Sequence, residues 1–241
     1  MLHLKTVEPN TFAVLKRLMA IPEMKDFHLV GGTALSLMYG HRMSIDLDLF
    51  STAKFENQQI ITALIREFGD RFVMDESKPF FGIFAYVGDV KIDIVRYPHP
   101  LIRPILTIKD IRLFSMEDIV AMKVQAVLGR AKKKDFWDIA ELLKHFSVED
   151  FIKFHKEKFS TQNLFITVPQ AISYFADAED SEDPVSLKGQ TWSDERMRIA
   201  HDVNFYVTNK TENTKFGRCS DAYALFEMFN QTIRNDGIVE G

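Results

Sequence analysis

The residues best suited to chemistry are two carboxylates, Asp46 and Asp48, in the run Ser44-Ile45-Asp46-Leu47-Asp48-Leu49-Phe50. Read as a strand, the run puts Ser44, Asp46, Asp48 and Phe50 on one side and Ile45, Leu47 and Leu49 on the other, because side chains alternate along an extended chain. The aliphatic side anchors and the acidic side is presented. Two negative charges about 5 Å apart repel by roughly 3 kcal/mol at an effective dielectric of ~20, a large cost for a marginally stable domain. A bound divalent cation would remove that cost. Just upstream, Phe27-His28-Leu29-Val30 reads as a short buried strand ending at Gly31-Gly32, and Thr33 to Tyr39 as a short helix that Gly40 terminates. Glycines let the backbone approach phosphate oxygens, the helix start points amides at an anion, and Thr33 adds a hydroxyl donor. A phosphate cradle followed by paired acids suits a nucleoside triphosphate and magnesium, which takes oxygen ligands and keeps phosphates and water in its remaining positions.

A two-metal site needs a third carboxylate. Asp93 is the candidate, since in Val90-Lys91-Ile92-Asp93-Ile94-Val95 the residues Val90, Ile92 and Ile94 face one way and Lys91 and Asp93 the other. Beside Asp46 it would ligate one metal and accept the proton of an attacking hydroxyl, while the second metal stabilises departing pyrophosphate. A solvated strand face remains the alternative for each acid taken alone. An EF-hand is excluded, because Asp46-Leu47-Asp48-Leu49-Phe50-Ser51 lacks the glycine its turn demands.

Lys123 stands out in the apolar run Ile119 to Val127, and helical spacing places Arg130 along the axis from it, so both cations can reach toward one phosphate chain. The alternative is a lysine whose stem packs on the core. Lys132-Lys133-Lys134 reads as solvated surface or as an RNA or nucleotide contact. Asp135 fits a cap at the start of the next helix; Asp138 fits either the same helix-dipole role or the orientation of a catalytic cation by ion pairing. Arg42, four residues before Asp46, reads as a counter-charge to the acids or a phosphate ligand, and with Ser44 it completes a nucleotide-binding set of Gly31, Gly32, Thr33, Arg42, Ser44, Lys123 and Arg130. His28, His41 and His99 lack metal-ligand spacing and Cys219 has no partner motif, so zinc and nucleophilic chemistry are unsupported.

The elements that must position these groups are legible from periodicity. An amphipathic helix opens at Pro9, a second runs from Phe55 to Phe68, and Phe72 to Met74, Phe80 to Val87 and Val90 to Val95 read as strands, with Gly88-Asp89 as a hairpin turn. Beyond Pro104 the pattern is helical. Ser115 and Asp118 have capping-box spacing before Ile119 to Leu128, and Asp135 to Phe146, Val148 to Phe159 and Gln162 to Phe175 read as further helices. The expected division is a catalytic core over 1–110 and a helical part over 111–241. The 241 residues, 46% of them apolar, support a sizeable core, and a net charge of −4 argues against binding nucleic acid through bulk basicity. A single cysteine allows no internal disulfide, Met1-Leu2-His3-Leu4-Lys5-Thr6 lacks the apolar core of a signal peptide, and no apolar run is long enough to span a bilayer. The chain reads as cytosolic.

The stretches Leu29 to Leu35, His41 to Ser51, and Lys123 through Arg130 to Lys134-Asp135-Phe136-Trp137-Asp138 together resemble the AbiEii toxin family of nucleotidyltransferases from abortive-infection and type IV toxin–antitoxin systems. The resemblance covers about residues 10 to 205, including Tyr174-Phe175-Ala176-Asp177-Ala178-Glu179. It implies an α+β, polymerase-beta-like nucleotidyltransferase core with a helical C-terminal half, magnesium dependence and transfer from a nucleoside triphosphate, with RNA such as a tRNA end as one acceptor and a cognate antitoxin as partner. By the same resemblance Asp46 and Asp48 are metal ligands, Lys123 a triphosphate contact and Asp138 a second-motif acid. Two other readings share the same residues: a small-molecule nucleotidyltransferase of the antibiotic-modifying sort, and a non-catalytic nucleotide- or RNA-binding module.

Overall fold

The computed structural model describes residues 1–78 and 81–213. Phe80, where a strand was expected to begin, Cys219 and the chain beyond Asn213 lie outside them. The order is α1 (Pro9–Ala20), β1 (His28–Val30), α2 (Gly31–Tyr39), β2 (Leu47–Ser51), α3 (Asn57–Phe68), β3 (Phe72–Met74), β4 (Gly82–Val87), β5 (Val90–Arg96), β6 (Leu106–Ile108) and β7 (Ile111–Leu113). Five helices follow: α4 (Met116–Gly129), α5 (Lys133–Leu142), α6 (Val148–Lys158), α7 (Val168–Ser173) and α8 (Trp192–Asn213).

The seven strands form one mixed sheet in the order β3-β4-β5-β2-β1-β7-β6. β2 lies parallel to β5 and antiparallel to β1, and β4 runs antiparallel to β5. Alternation separates two faces: Ile83, Ala85, Val87, Val90, Ile92, Ile94, Leu47 and Leu49 are buried, while Phe84, Lys91, Asp93, Val95, Asp48 and Phe50 are half-buried. The apolar side joins one continuous core, to which α1 contributes Val14, Leu15 and Leu18 and α3 contributes Ile60, Ala63 and Leu64.

β2 begins three residues later than expected, at Leu47. The segment before it is paired elsewhere, with Arg42 bridged to Ser186, Met43 N–H donating to Val185 O at 2.9 Å and Ser44 N–H to Thr6 O at 2.9 Å. The pair β6 and β7 was not foreseen, each strand having only three residues, and β7 joins the sheet beside β1 past residue 110. The helix expected over 162–175 is confined to Val168–Ser173. Its start is set by Thr167, whose side chain caps Gln170 in a reciprocal box, with Pro169 in the first turn, where a missing N–H is harmless.

The Ser115 cap is present, its Oγ accepting from Asp118 N–H at 3.1 Å. The box is only half made, because the Asp118 carboxylate turns to the Ile102 and Arg103 amides and to Lys158 Nζ at 2.6 Å, tying the 100–103 loop to α4 and α6. Ser115→Ala is expected to lose about 1 kcal/mol, read as a lower urea midpoint at unchanged slope.

Candidate active site

β2 and β5 place Asp48 directly beside Asp93 in parallel register. Asp46 precedes the strand, its side chain 34% exposed and 3.6 Å from Lys134 Nζ. Asp93, 19% exposed, accepts from Lys91 Nζ at 2.7 Å through Oδ2, while its Oδ1 is buried without a hydrogen-bond partner. No donor among the described residues reaches the Asp48 carboxylate. Burial first, then the neighbouring Asp93 charge, pushes the Asp48 carboxyl up to about 6, and Lys123 offsets only part of this. The repulsion foreseen between Asp46 and Asp48 therefore falls mainly between Asp48 and Asp93. As the side chains stand, no group of three or more His, Cys, Asp or Glu among the described residues is gathered closely enough to hold an ion.

The glycine pair serves these side chains directly. Gly31 has φ +70°, and a Cβ there would run into Asp48 Oδ2. A Cβ on Gly32 would collide with Arg42 Nη2. The pair thus lets a carboxylate and a guanidinium close on the start of α2, whose first amides lack intrahelical partners. Thr33, buried at the next position, holds Ser44 Oγ at 2.8 Å and donates to the Asp46 carbonyl, so both hydroxyls brace the approach to the acids.

Arg42 does not face the acids. Its guanidinium is buried and donates Nε to Asp138 Oδ1 at 2.7 Å and Nη2 to Asp138 Oδ2 at 2.8 Å. Lys123, also buried, sits 2.6 Å from Asp138 Oδ2 and 3.1 Å from Asp135 Oδ1, and Arg130 forks onto Asp135 with two 2.9 Å bonds. Lys123 and Arg130 converge as their spacing predicted, on a carboxylate. Asp135 is no cap: it lies within α5, fully buried between these cations. Burial alone would raise the Asp138 carboxyl, but Arg42 and Lys123 outweigh it and hold it well below the usual range; Asp135 is lowered to about 2 in the same way, chiefly by Lys123 and Arg130 against burial.

His41 was missed as part of this network. Its Nε2 is 2.7 Å from Asp138 Oδ1, and burial lowers its pKa against the pull of that bond. An ionised Asp138 can only accept, so the neutral ring donates through Nε2–H and leaves Nδ1, which is buried and unpartnered, as a bare acceptor. The available signal was its place beside Arg42. Lys91 and Lys134 were likewise visible only as strand and surface lysines.

The same architecture occurs in solved structures. JHP933 from Helicobacter pylori superposes with a TM-score of 0.53 at 17% identity, covering 86% of this chain and 96% of its own. MenT4, the nucleotidyltransferase toxin Rv2826c from Mycobacterium tuberculosis H37Rv, gives 0.51 at 14% identity over 80% of this chain and 85% of its own. The mixed sheet with its flanking helices is the polymerase-beta-like nucleotidyltransferase fold. An uncharacterised protein of Aquifex aeolicus (strain VF5) is 30% identical over 172 residues, 69% of this chain and 82% of that protein. The chain belongs to the family of the nucleotidyl transferase AbiEii toxin of type IV toxin–antitoxin systems, whose profile matches residues 13–203. Among the described residues no helix is long and apolar enough to cross a membrane.

Proposed function

We propose that the protein transfers a nucleoside monophosphate from a triphosphate onto an acceptor hydroxyl, of RNA such as a tRNA end or of a protein. The reaction is magnesium-dependent and cytoplasmic, and it serves as the toxic activity of a pair whose antitoxin is encoded beside it. The supporting observation is the in-register pair Asp48 and Asp93: one carboxylate without a donor and raised to about 6, the other with a buried orphan oxygen. An all-oxygen donor set with uncompensated negative charge suits a hard divalent cation. Asp46, Asp48 and Asp93 would hold it, and the bound ions supply charge neutralisation of the triphosphate and of departing pyrophosphate.

The chain's own groups do the rest. Asp93 Oδ1, free of any donor, takes the proton of the attacking hydroxyl. The start of α2, at Gly31, Gly32 and Thr33, presents amides to the phosphates. Lys123 and Arg130 supply a positive field at Asp48 while Asp135 and Asp138 fix their positions. Arg42 acts through Asp138, and Ser44 through Thr33. On this reading residues 1–110 carry the acids and 111–241 complete the site, because Lys123, Asp135 and Asp138 come from α4 and α5.

Pure protein incubated with each labelled triphosphate, magnesium and total RNA or lysate is expected to label an acceptor, and Asp93→Asn to lower the rate by at least ~100-fold, the scale of a lost general base. Absence of label with every triphosphate would remove the enzymatic reading. In cells, growth inhibition that survives Asp46→Asn would instead indicate a binding module.

A further inference from the structure

Across β5 from Asp48, the same half-buried face of the sheet carries aromatic rings. Phe84 on β4 stands opposite Asp93, and Tyr86 stands opposite Lys91. Cross-strand partners project to one side, so Phe84, Tyr86, Lys91, Asp93 and Asp48 share a face. Tyr86 is 40% exposed, whereas the residues between and beside them on β4, Ile83, Ala85 and Val87, are buried on the opposite side. A ring on the wet face of a strand contributes little to the core. Two of them beside a half-exposed lysine and a pair of acids form a surface with a π-face, a cation and a proton acceptor within a few residues.

Strand order tells which substrate meets this surface. The glycine turn and the start of α2 follow β1, on one side of Asp48, whereas β4 lies on the other, beyond Asp93. In-line displacement at phosphorus keeps the attacking oxygen and the departing pyrophosphate on opposite sides. With the phosphates at α2, the attacking hydroxyl enters from the β4 side.

We propose that Phe84 and Tyr86 form a stacking platform for the terminal base or bases of a single-stranded RNA acceptor, with Lys91 placed for its backbone phosphate. This assignment rests on the transferase reading above and narrows its acceptor to nucleic acid. Stacking on rings next to a cation is how single strands are held without reading their sequence. The acceptor hydroxyl is then delivered to Asp93, and the bond formed is from that oxygen to the α-phosphorus as the bond to pyrophosphate breaks. The proton passes to Asp93.

The test measures binding separately from chemistry. A fluorescent single-stranded oligoribonucleotide of mixed sequence is titrated by anisotropy with the full chain and with Tyr86→Ala, Tyr86→Phe, Phe84→Ala and Phe84→Tyr. Binding of a labelled non-hydrolysable nucleoside triphosphate is followed in parallel. Each alanine variant is expected to weaken the oligonucleotide by ~10-fold, within the range for one lost base stack. Tyr86→Phe and Phe84→Tyr keep a ring and are expected to stay near wild type, as is triphosphate binding in all four. Tyr86 is exposed, so its replacement tests the platform even if Phe84→Ala fails to fold. Unchanged oligonucleotide affinity in Tyr86→Ala, or a loss confined to the triphosphate, overturns the platform, the second by assigning the rings to the nucleotide's own base. Wild type that labels a protein while ignoring the oligonucleotide overturns it too. Ring-dependent binding of RNA without transfer to any acceptor upholds the platform and defeats the transferase reading instead.

Discussion

Asp48→Asn is expected to melt above wild type in metal-free buffer at pH 8 and to transfer no nucleotide. The Asp48 carboxyl is raised to about 6 from 3.8 because burial and the adjacent Asp93 both oppose its charge. One unit of such a shift corresponds to about 1.4 kcal/mol. After allowance for the solvent that still reaches this partly exposed group, about 1–2 kcal/mol of strain is released by the neutral amide, or roughly 3–6 °C in a chain of this size. The sign follows from linkage. A carboxyl whose folded pKa is raised destabilises the fold when ionised, so the gain is complete above about 6 and fades as pH falls toward 3.8, where wild type is protonated in both states. Saturating magnesium is expected to raise the wild-type midpoint, by the free energy of binding to the native state alone, and to leave the variant nearly unmoved. A variant that melts below wild type at pH 8, or that still transfers nucleotide, contradicts the assignment of Asp48 as an uncompensated ligand.

Removal of Asp138 acts in the opposite direction. Its carboxylate meets Arg42, Lys123 and His41 at once in a fully buried position. Asp138→Ala strands the buried Arg42 guanidinium and leaves Lys123 to share Asp135 with Arg130, and breaking one side of such a buried pair costs about 3–5 kcal/mol. That is roughly 10 °C or more for a domain of this length. Lys123→Met is the milder change, since Arg42 remains on Asp138 and Arg130 remains on Asp135. In a urea double-mutant cycle the pair Asp138→Ala with Lys123→Met is therefore expected to lose less than the sum of the single changes. Strict additivity would show that the ion pair contributes nothing beyond its separate members. Because the Asp138 carboxyl is held well below its usual range, its contribution persists through mildly acidic pH and is lost only when pH falls far enough to protonate it in the fold.

Much of this site is written in local pattern. The alternation through Leu47-Asp48-Leu49 and Ile92-Asp93-Ile94 announces which side chains leave the core, and the same strands carry them in the fold. The glycine turn and the lysine in an apolar helix were equally visible, because each breaks a local expectation. The partners were hidden. Arg42 has the spacing of a counter-charge to Asp46, yet it forks onto Asp138. Asp135 looks like a cap, yet it is buried between Lys123 and Arg130. Gly31 and Gly32 suggest room for phosphate, yet the space their missing Cβ atoms leave is taken by Asp48 and Arg42.

The division has a physical cause. Side-chain periodicity and turn chemistry are short-range properties, so they establish five of the seven strands described, most of the helices and which acids face outward, while the motifs carry the family resemblance. Charge pairing is a matter of distance in space. Asp138 meets residues nearly a hundred positions away, Asp48 meets Asp93 through a parallel crossover, and Phe84 comes to face Asp93 only through the β4–β5 register. Which cation answers which acid, and which acid is left without one, depends on how the sheet and helices close on one another, since in a low-dielectric interior a few ångströms decide whether two charges pair or repel.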